Sequence, residues 1–340
     1  METHPQPSAT EPATSVATPD PVLAVEDLTM YYATRAGDVR AVDGISFAVQ
    51  RGESVGLVGE SGCGKSSIAM ALLKLLPENA RLIRGKILLN GADLAPLSDD
   101  EMRAHRWNHI AMVFQAAMNA LNPVYRVGDQ IIEALDAHIR STPEISMERV
   151  RELFDLVSLD PSFIPRYPHE YSGGMKQRAG IAMALACEPD LLIADEPTTA
   201  LDVIVQDRIL KELRKVQEAL NMSLIYISHD MAVIAEVSHA VGVMYAGRIV
   251  EWGETVDVFH RPIHPYTQTL MSAFPSVTGP KHKLGMLTGE PPNLLAPPPG
   301  CRFHPRCPYA TDVCRSEEPP TVRSGSHWAA CWHPLDGAAV

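Results

Sequence analysis

An α/β fold is what this sequence predicts, and three observations carry the prediction. The stretch "SVGLVGESGCGKSSIAMALLKLL" reads as an apolar strand, a Gly-rich turn and a helix. Further on, "GMKQRAGIAMALA", "LLIAD", "VIVQDRILKELRKVQEAL" and "SLIYIS" alternate helix and strand, as in parallel sheets built by crossover helices. Finally, 340 residues that are 46% hydrophobic can bury a substantial core and form more than one structural unit.

In chain order, the opening "METHPQPSATEPATSVATPDP" has acidic residues, no Lys or Arg and no apolar stretch, so residues 1–21 predict a disordered tail rather than a secretory signal. From Val22, "VLAVEDLTMYY", "ISFAVQ" and "KILLNGADL" are strand-like runs between Gly-containing turns, which predict an antiparallel β-subdomain beside the α/β core. Between about residues 117 and 170, "VGDQIIEALDAHI" and "SMERVRELFDLVSL" take helical spacing. Val150, Leu153, Phe154 and Val157 recur at i, i+3, i+4, i+7, so a helical subdomain that buries this stripe is expected. After Pro262 the chain turns Pro-rich, and "PPNLLAPPPG" reads as a stiff connector. The expected division is a main domain over 22–265 and a small cysteine-rich C-terminal extension over 266–340. No internal repeat is evident.

The formal net charge of -12 opposes sequence-independent attraction to nucleic acid or anionic lipid, since both depend on basic residues. Apolar runs are broken by Lys74, Glu236 or His239 well short of the eighteen or so residues that span a bilayer, so membrane association is expected to go through another protein.

"GESGCGKS" fits G-x-x-x-x-G-K-[ST] between a predicted strand and helix. Gly59, Ser61, Gly62, Cys63, Gly64, Lys65, Ser66 and Ser67 would surround phosphate oxygens at a helix start, with Lys65 on the β and γ phosphates and Ser66 on Mg²⁺. Cys63 reads as a tolerated small residue whose oxidation could block the site. "LLIADEP" ends an apolar strand in two adjacent carboxylates, Asp195 and Glu196, which point differently, so that one can hold Mg²⁺ while the other addresses water. "YSGGMKQR" puts Ser172, Gly173 and Gly174 before a helix. Alone that is an ordinary N-cap; about twenty residues before "ADEP" it reads as a second anion-binding helix start.

With these motifs in order, the chain resembles the nucleotide-binding subunits of ABC transporters from Val22 onward. The series is Tyr32, the phosphate loop, Gln115 in "MVFQ", "YSGGM", "ADEP", Asp202 in "ALD" and His229 in "SHD". The resemblance implies a P-loop NTPase (RecA-like) core that binds and hydrolyses ATP with Mg²⁺. It implies that Tyr32 stacks on adenine, Gln115 senses Mg²⁺ and couples to a membrane subunit, Glu196 is the base for the attacking water, and His229 contacts the γ-phosphate. Tyr171 and Met175 depart from the commonest LSGGQ signature, and "SGGM" followed by Gln177 resembles the peptide-importer branch. Two cassettes would sandwich two ATP molecules head to tail, each held by one chain's phosphate loop and the other's Ser172–Gly174.

"RPIHPYTQTLMSAFP" and "GEPPNLLAPPPGCRFHPRCPYA" resemble the extension of oligopeptide and dipeptide importer ATPases. That implies a peripheral subunit on the cytoplasmic face of the cell membrane. Its implied partners are a second, different ATPase subunit, two transmembrane permease subunits and an extracellular solute-binding protein. Nickel and oligosaccharide importers use related subunits. A non-transport ABC protein is disfavoured by the charge, the single cassette and the lack of a long coiled-coil insertion.

Cys301, Cys307, Cys314 and Cys331 are separated by five, six and sixteen residues. Disulfides are disfavoured in the reducing compartment inferred from the lack of an export signal. Four thiolates fit zinc or an iron–sulfur cluster; the gaps suit zinc knuckles poorly, and spacing alone leaves both open. The resemblance, within which some cysteine-rich tails carry a [4Fe-4S] centre, implies the cluster.

Overall fold

The computed structural model describes residues 20–115, 120–139, 141–199, 202–272 and 289–336. The expected tail lies almost wholly outside the described residues, as do Ala200 and Leu201 of "ALD".

Strands β1 (Leu23–Thr34) and β2 (Gly37–Val49) pair antiparallel. After β3 (Ser54–Val58), β4 (Ala80–Leu89) and β5 (Ala92–Asp93) complete a four-stranded antiparallel sheet in the order β2-β1-β4-β5. The second sheet has eight strands. Its parallel part runs β9-β3-β8-β7-β6, with β6 (Ile110–Val113), β7 (Leu191–Asp195), β8 (Ser223–Ser228) and β9 (Ala240–Tyr245). On one edge, β10 (Arg248–Glu254), β12 (His327–Ala330) and β11 (Thr321–Ser324) continue it antiparallel.

Parallel strands read as unbroken apolar runs because both faces are covered, yet their side chains still alternate. Leu191, Ile193, Ile225 and Ile227 pack on one face with α1 (Lys65–Leu72) and the antiparallel sheet. Leu192, Ala194, Leu224 and Tyr226 pack on the other with α3 (Val127–Asp136), α4 (Pro143–Leu156), α5 (Gly173–Ala184) and α6 (Val203–Leu220). The stripe Val150, Leu153, Phe154 and Val157 is buried, as its spacing requires. A four-residue α2 (Asp99–Met102) precedes β6, and α7 (Met231–Val237) joins β8 to β9.

The C-terminal residues depart from a connector followed by a separate appendage. After α8 (Thr255–His260) and α9 (Pro265–Ser272), the Pro-rich stretch lies against β2, where the Arg40 N–H donates to the Leu294 carbonyl (3.0 Å). The short α10 (Asp312–Ser316) leads to the β11–β12 hairpin, which extends the core sheet. Four-residue strands such as "TVRS" and "HWAA" are too short for periodicity to reveal.

A buried carboxylate fastens this edge. Glu251 of β10 has no solvent exposure; it accepts hydrogen bonds from the N–H groups of Ile263 (2.8 Å) and His264 (2.9 Å) and lies 2.7 Å from His327 Nε2 of β12. His264 itself is buried, and its Nδ1 accepts the Tyr266 N–H (3.0 Å), so a second ring proton would break that bond and place a charge in the core.

Burial lowers the His264 pKa to about 4 although Glu251 opposes the shift. The unfolded chain then takes up a proton between about pH 6.5 and pH 4 that the folded chain refuses, so this contribution to stability is complete above pH 6.5 and is lost as pH falls. We expect a loss of about 2 kcal/mol by about pH 5 from this group, and His264→Asn to remove that slope. Chemical unfolding of both proteins across the window checks it; parallel losses would show that the imidazole is not the source.

Candidate active site

The phosphate-loop sequence leaves the end of β3 and enters α1, and two glycines fix its path. Gly59 (φ 152°) and Gly64 (φ 109°) take backbone conformations that other residues rarely adopt. A Cβ at Gly59 would sit 2.2 Å from the Met244 carbonyl oxygen and one at Gly64 2.1 Å from that of Ala41. Ser61 and Gly62 are exposed at the crest of the loop, and the first amides of α1 lack intrahelical acceptors, as at any helix start. Lys65 is buried and folds back: its Nζ donates to the carbonyls of Gly59 (2.7 Å) and Glu60 (3.0 Å). Ser66 is exposed beside it, and the Ser67 hydroxyl meets the Tyr32 hydroxyl at 3.1 Å, tying Tyr32 to the first turn of α1.

Cys63 is buried, and burial pushes its thiol pKa up despite Lys65. Its N–H is taken by the Glu60 carbonyl (3.3 Å). The tolerated small residue therefore describes it better than an oxidation-prone one, because the reactive thiolate is disfavoured.

Adjacent carboxylates at the end of β7 meet opposite environments. Asp195 is buried, which raises its pKa against the pull of Ser66 and Lys65, and its Oδ1 is a buried acceptor with no hydrogen-bond partner. Such an orphaned oxygen beside a serine hydroxyl fits a Mg²⁺ ligand. Glu196 turns away at φ 46°. Its Oε2 accepts from Gln115 Nε2 (2.8 Å) and the Thr199 hydroxyl (2.9 Å), and its Oε1 lies 2.9 Å from His229 Nδ1. Burial raises the Glu196 pKa, but His229 and Thr199 outweigh it and hold the carboxyl below its usual range. The arrangement presents an ionised acceptor with its hydrogen-bond field already in place.

Thr199 was not among the residues the sequence singled out, although "EPTT" carries it three positions after Glu196. Buried Gln177 also went unassigned; its Nε2 donates to the Pro197 carbonyl (2.5 Å) and so braces the turn after the carboxylates.

Ser172 caps α5, accepting the Met175 N–H (3.3 Å), and Ser172 and Gly173 are exposed. Among the described residues no hydrogen bond or ion pair joins Ser172–Gly174 to the phosphate loop. Asp202 caps α6 (2.9 Å to the Val205 N–H), and beside it Val203 and Ile204 are 79% and 82% exposed. Next to Gln115 an apolar groove is lined by Leu75, Trp107, Met112, Phe114 and Met183.

Cys301, Cys307, Cys314 and Cys331 lie near one another in the fold, and burial pushes the Cys331 thiol up to about 12. None is in a disulfide. The expected metal centre is not preformed, because among the described residues no three or more His, Cys, Asp or Glu are placed to hold a metal ion. Four thiolates around one zinc at about 2.3 Å would be about 3.8 Å apart by tetrahedral geometry. Here the thiols lie near one another without converging in that way.

The family described as "ABC transporter" matches residues 42–199, and the one described as "Oligopeptide/dipeptide transporter, C-terminal region" matches residues 250–314. The dipeptide transport ATP-binding protein DppD of Bacillus subtilis is 46% identical over 92% of this chain and 94% of its own length. DppD of Escherichia coli is 45% identical (93% and 98%), and the oligopeptide transport ATP-binding protein OppD of Salmonella typhimurium is 43% identical (97% and 99%). Among solved structures, cbiO1 from Clostridium perfringens, part of the ABC transporter complex cbiONQ, aligns with a TM-score of 0.61 at 27% identity over 71% of this chain and 91% of its own. The bacterial ABC transporter cassette MJ0796, solved as a dimer, aligns at 0.62 and 25% over 68% and 98%. Identity of this order over nearly the full length of both chains, 92% and 94% for the first relative, makes this chain a member of the ABC transporter family, as an ATP-binding subunit of its oligopeptide/dipeptide branch.

Proposed function

We propose that the chain hydrolyses ATP to drive uptake of oligopeptides or dipeptides through partner permease subunits. The observation that carries the chemistry is the ionised Glu196 carboxylate, held by Gln115, Thr199 and His229. The dipeptide and oligopeptide names of full-length relatives support the substrate class.

In this reading residues 22–265 form the cassette and 266–340 its extension. Tyr32 stacks on adenine, and the loop from Ser61 to Ser67 surrounds the phosphates with its free amides, Cys63 forming part of the loop while its own N–H stays on the Glu60 carbonyl. Lys65 exchanges two backbone carbonyls for phosphate oxygens. Ser66, Asp195 and Gln115 would hold Mg²⁺, which supplies charge neutralisation at the β and γ phosphates. Glu196 orients the attacking water and accepts its proton, and His229 reaches the γ-phosphate.

Ser172, Gly173, Gly174 and Asp202 act on a partner's nucleotide. Support comes from their separation from this chain's own loop and from the exposed Val203 and Ile204, an apolar pair suited to a dimer face. The pair is a heterodimer by analogy with the branch. The groove that Phe114 lines (42% exposed), together with Val124 and Tyr125, exposed elsewhere on the surface at 71% and 57%, supports docking of a permease segment. No described helix is long and apolar enough to cross a membrane. By analogy with the branch, the subunit sits peripherally on the cytoplasmic face of the cell membrane, below the permeases and an extracellular solute-binding protein.

Cys301, Cys307, Cys314 and Cys331 hold a [4Fe-4S] cluster in this proposal. Support is an all-thiol donor set of four neighbouring cysteines, two buried and two half-buried. Its role is to stabilise the surrounding C-terminal residues.

Three tests follow. Glu196→Gln is expected to bind ATP normally while turnover in the assembled complex falls about 100-fold or more, since only the base is removed; wild-type turnover would refute the assignment. In complexes with one mutant cassette, Ser172→Arg should silence the partner's nucleotide site, and an effect confined to the mutant's own loop would exclude the head-to-tail pair. Anaerobically purified protein should contain about four iron and four sulfide per chain, and Cys307→Ser should lose most of both. Stoichiometric zinc without sulfide would overturn the cluster and leave the ATPase untouched.

A further inference from the structure

A carboxylate inside a phosphate-binding loop repels the ligand the loop is built to hold. Glu60, the second residue of "GESGCGKS", is such a carboxylate, and the structure shows what cancels it. Arg306 grips it with both terminal nitrogens, Nη1 at 2.6 Å from Oε2 and Nη2 at 3.0 Å from Oε1. The arginine side chain is only 5% exposed, so this is a desolvated, bidentate pair rather than a surface bridge.

The pair belongs to a built support under the loop. Arg306 Nη1 also donates to the Tyr245 hydroxyl (3.3 Å), and the guanidinium lies over that ring at 5.8 Å. The Tyr266 hydroxyl accepts the Glu60 N–H (3.1 Å), and Tyr245, Tyr266 and Phe303 pack together with centroids 4.7 to 5.3 Å apart. Phe303 is flanked by two buried arginines: Arg302, which reaches Asp43 and the Ala246 carbonyl beside the loop, and Arg306. The Glu60 carbonyl is also one of the two acceptors on which Lys65 rests. The segment that carries Cys301 and Cys307 thus ends Arg306 on the phosphate loop, 246 residues earlier in sequence, and Arg302 on Asp43 and Ala246 beside it.

We infer that Arg306 is a positioning residue for nucleotide: by neutralising Glu60 within the phosphate loop, it sets the affinity of the site for ATP. The inference rests on the reading that this loop holds ATP phosphates. An alternative in which Arg306 only ties down the C-terminal residues makes different predictions: losing a tie weakens ATP and ADP alike, and removing the Glu60 charge as well does not repair it.

The test measures MgATP and MgADP binding to the full-length chain by titration. Arg306→Ala leaves the Glu60 charge uncompensated beside the phosphates. It should raise the Kd for ATP about tenfold, with a smaller rise for ADP, which carries less charge. Adding Glu60→Gln to Arg306→Ala should restore most of that loss, since the repelling charge is gone. Arg306→Lys, which keeps the charge and loses the fork, should fall between wild type and Arg306→Ala and serves if the alanine variant does not fold. Equal weakening for ATP and ADP, no rescue in the double variant, or wild-type affinity in Arg306→Ala would each overturn the inference. Failure of the wild-type chain to bind MgATP would instead overturn the loop assignment itself.

Discussion

The close approach of the phosphate loop to the backbones of its neighbours is the constraint on which the rest of the molecule depends. Gly59 and Gly64 run so near the carbonyls of Met244 and Ala41 that neither can carry a side chain. One contact comes from β9 of the parallel sheet and the other from β2 of the antiparallel sheet, so both sheets must be in place before the loop can take its path. Helix α1 then leaves with its unpaired amides where the loop needs them. The two hydrophobic clusters on either face of the parallel strands hold that arrangement in register.

The same placement separates two chemically identical groups. Asp195 ends inside the sheet, with an oxygen that lacks a partner; Glu196, one residue on, adopts a left-handed backbone and gathers Gln115, Thr199 and His229. Burial disfavours charge on the first, while hydrogen bonds favour it on the second. Two carboxyl groups of one dipeptide thus differ in their preference for charge because a strand end gives its last two residues different surroundings.

The C-terminal residues share in this construction instead of hanging from it. Their hairpin extends the core sheet past β10, Glu251 gathers two backbone amides and His327, and Arg302 and Arg306 reach Asp43 and Glu60. Asp43 is held below the usual carboxylate range because Tyr31, Arg302 and Arg248 together outweigh the effect of its burial. Each of these contacts is charged and largely shielded from water, so removing one partner strands the other.

The sequence by itself determined the α/β core, the antiparallel strands, the buried stripe of α4 and the residues of the phosphate loop and carboxylate turn. Those signals are local: apolar period, glycine spacing and capping residues act over a few positions. It also singled out Gln115 and His229, but only through a family resemblance, since nothing near them in sequence sets them apart. Tertiary structure alone decided that Glu196, Gln115, Thr199 and His229 meet, that "TVRS" and "HWAA" are strands of the core sheet, and that Arg306 closes on Glu60. The four cysteines lie between these cases, since their grouping was legible from spacing while their burial and proximity in space depended on the fold. Pairings between residues distant along the chain leave no periodic trace, because they are fixed by which surfaces the packed sheets bring together.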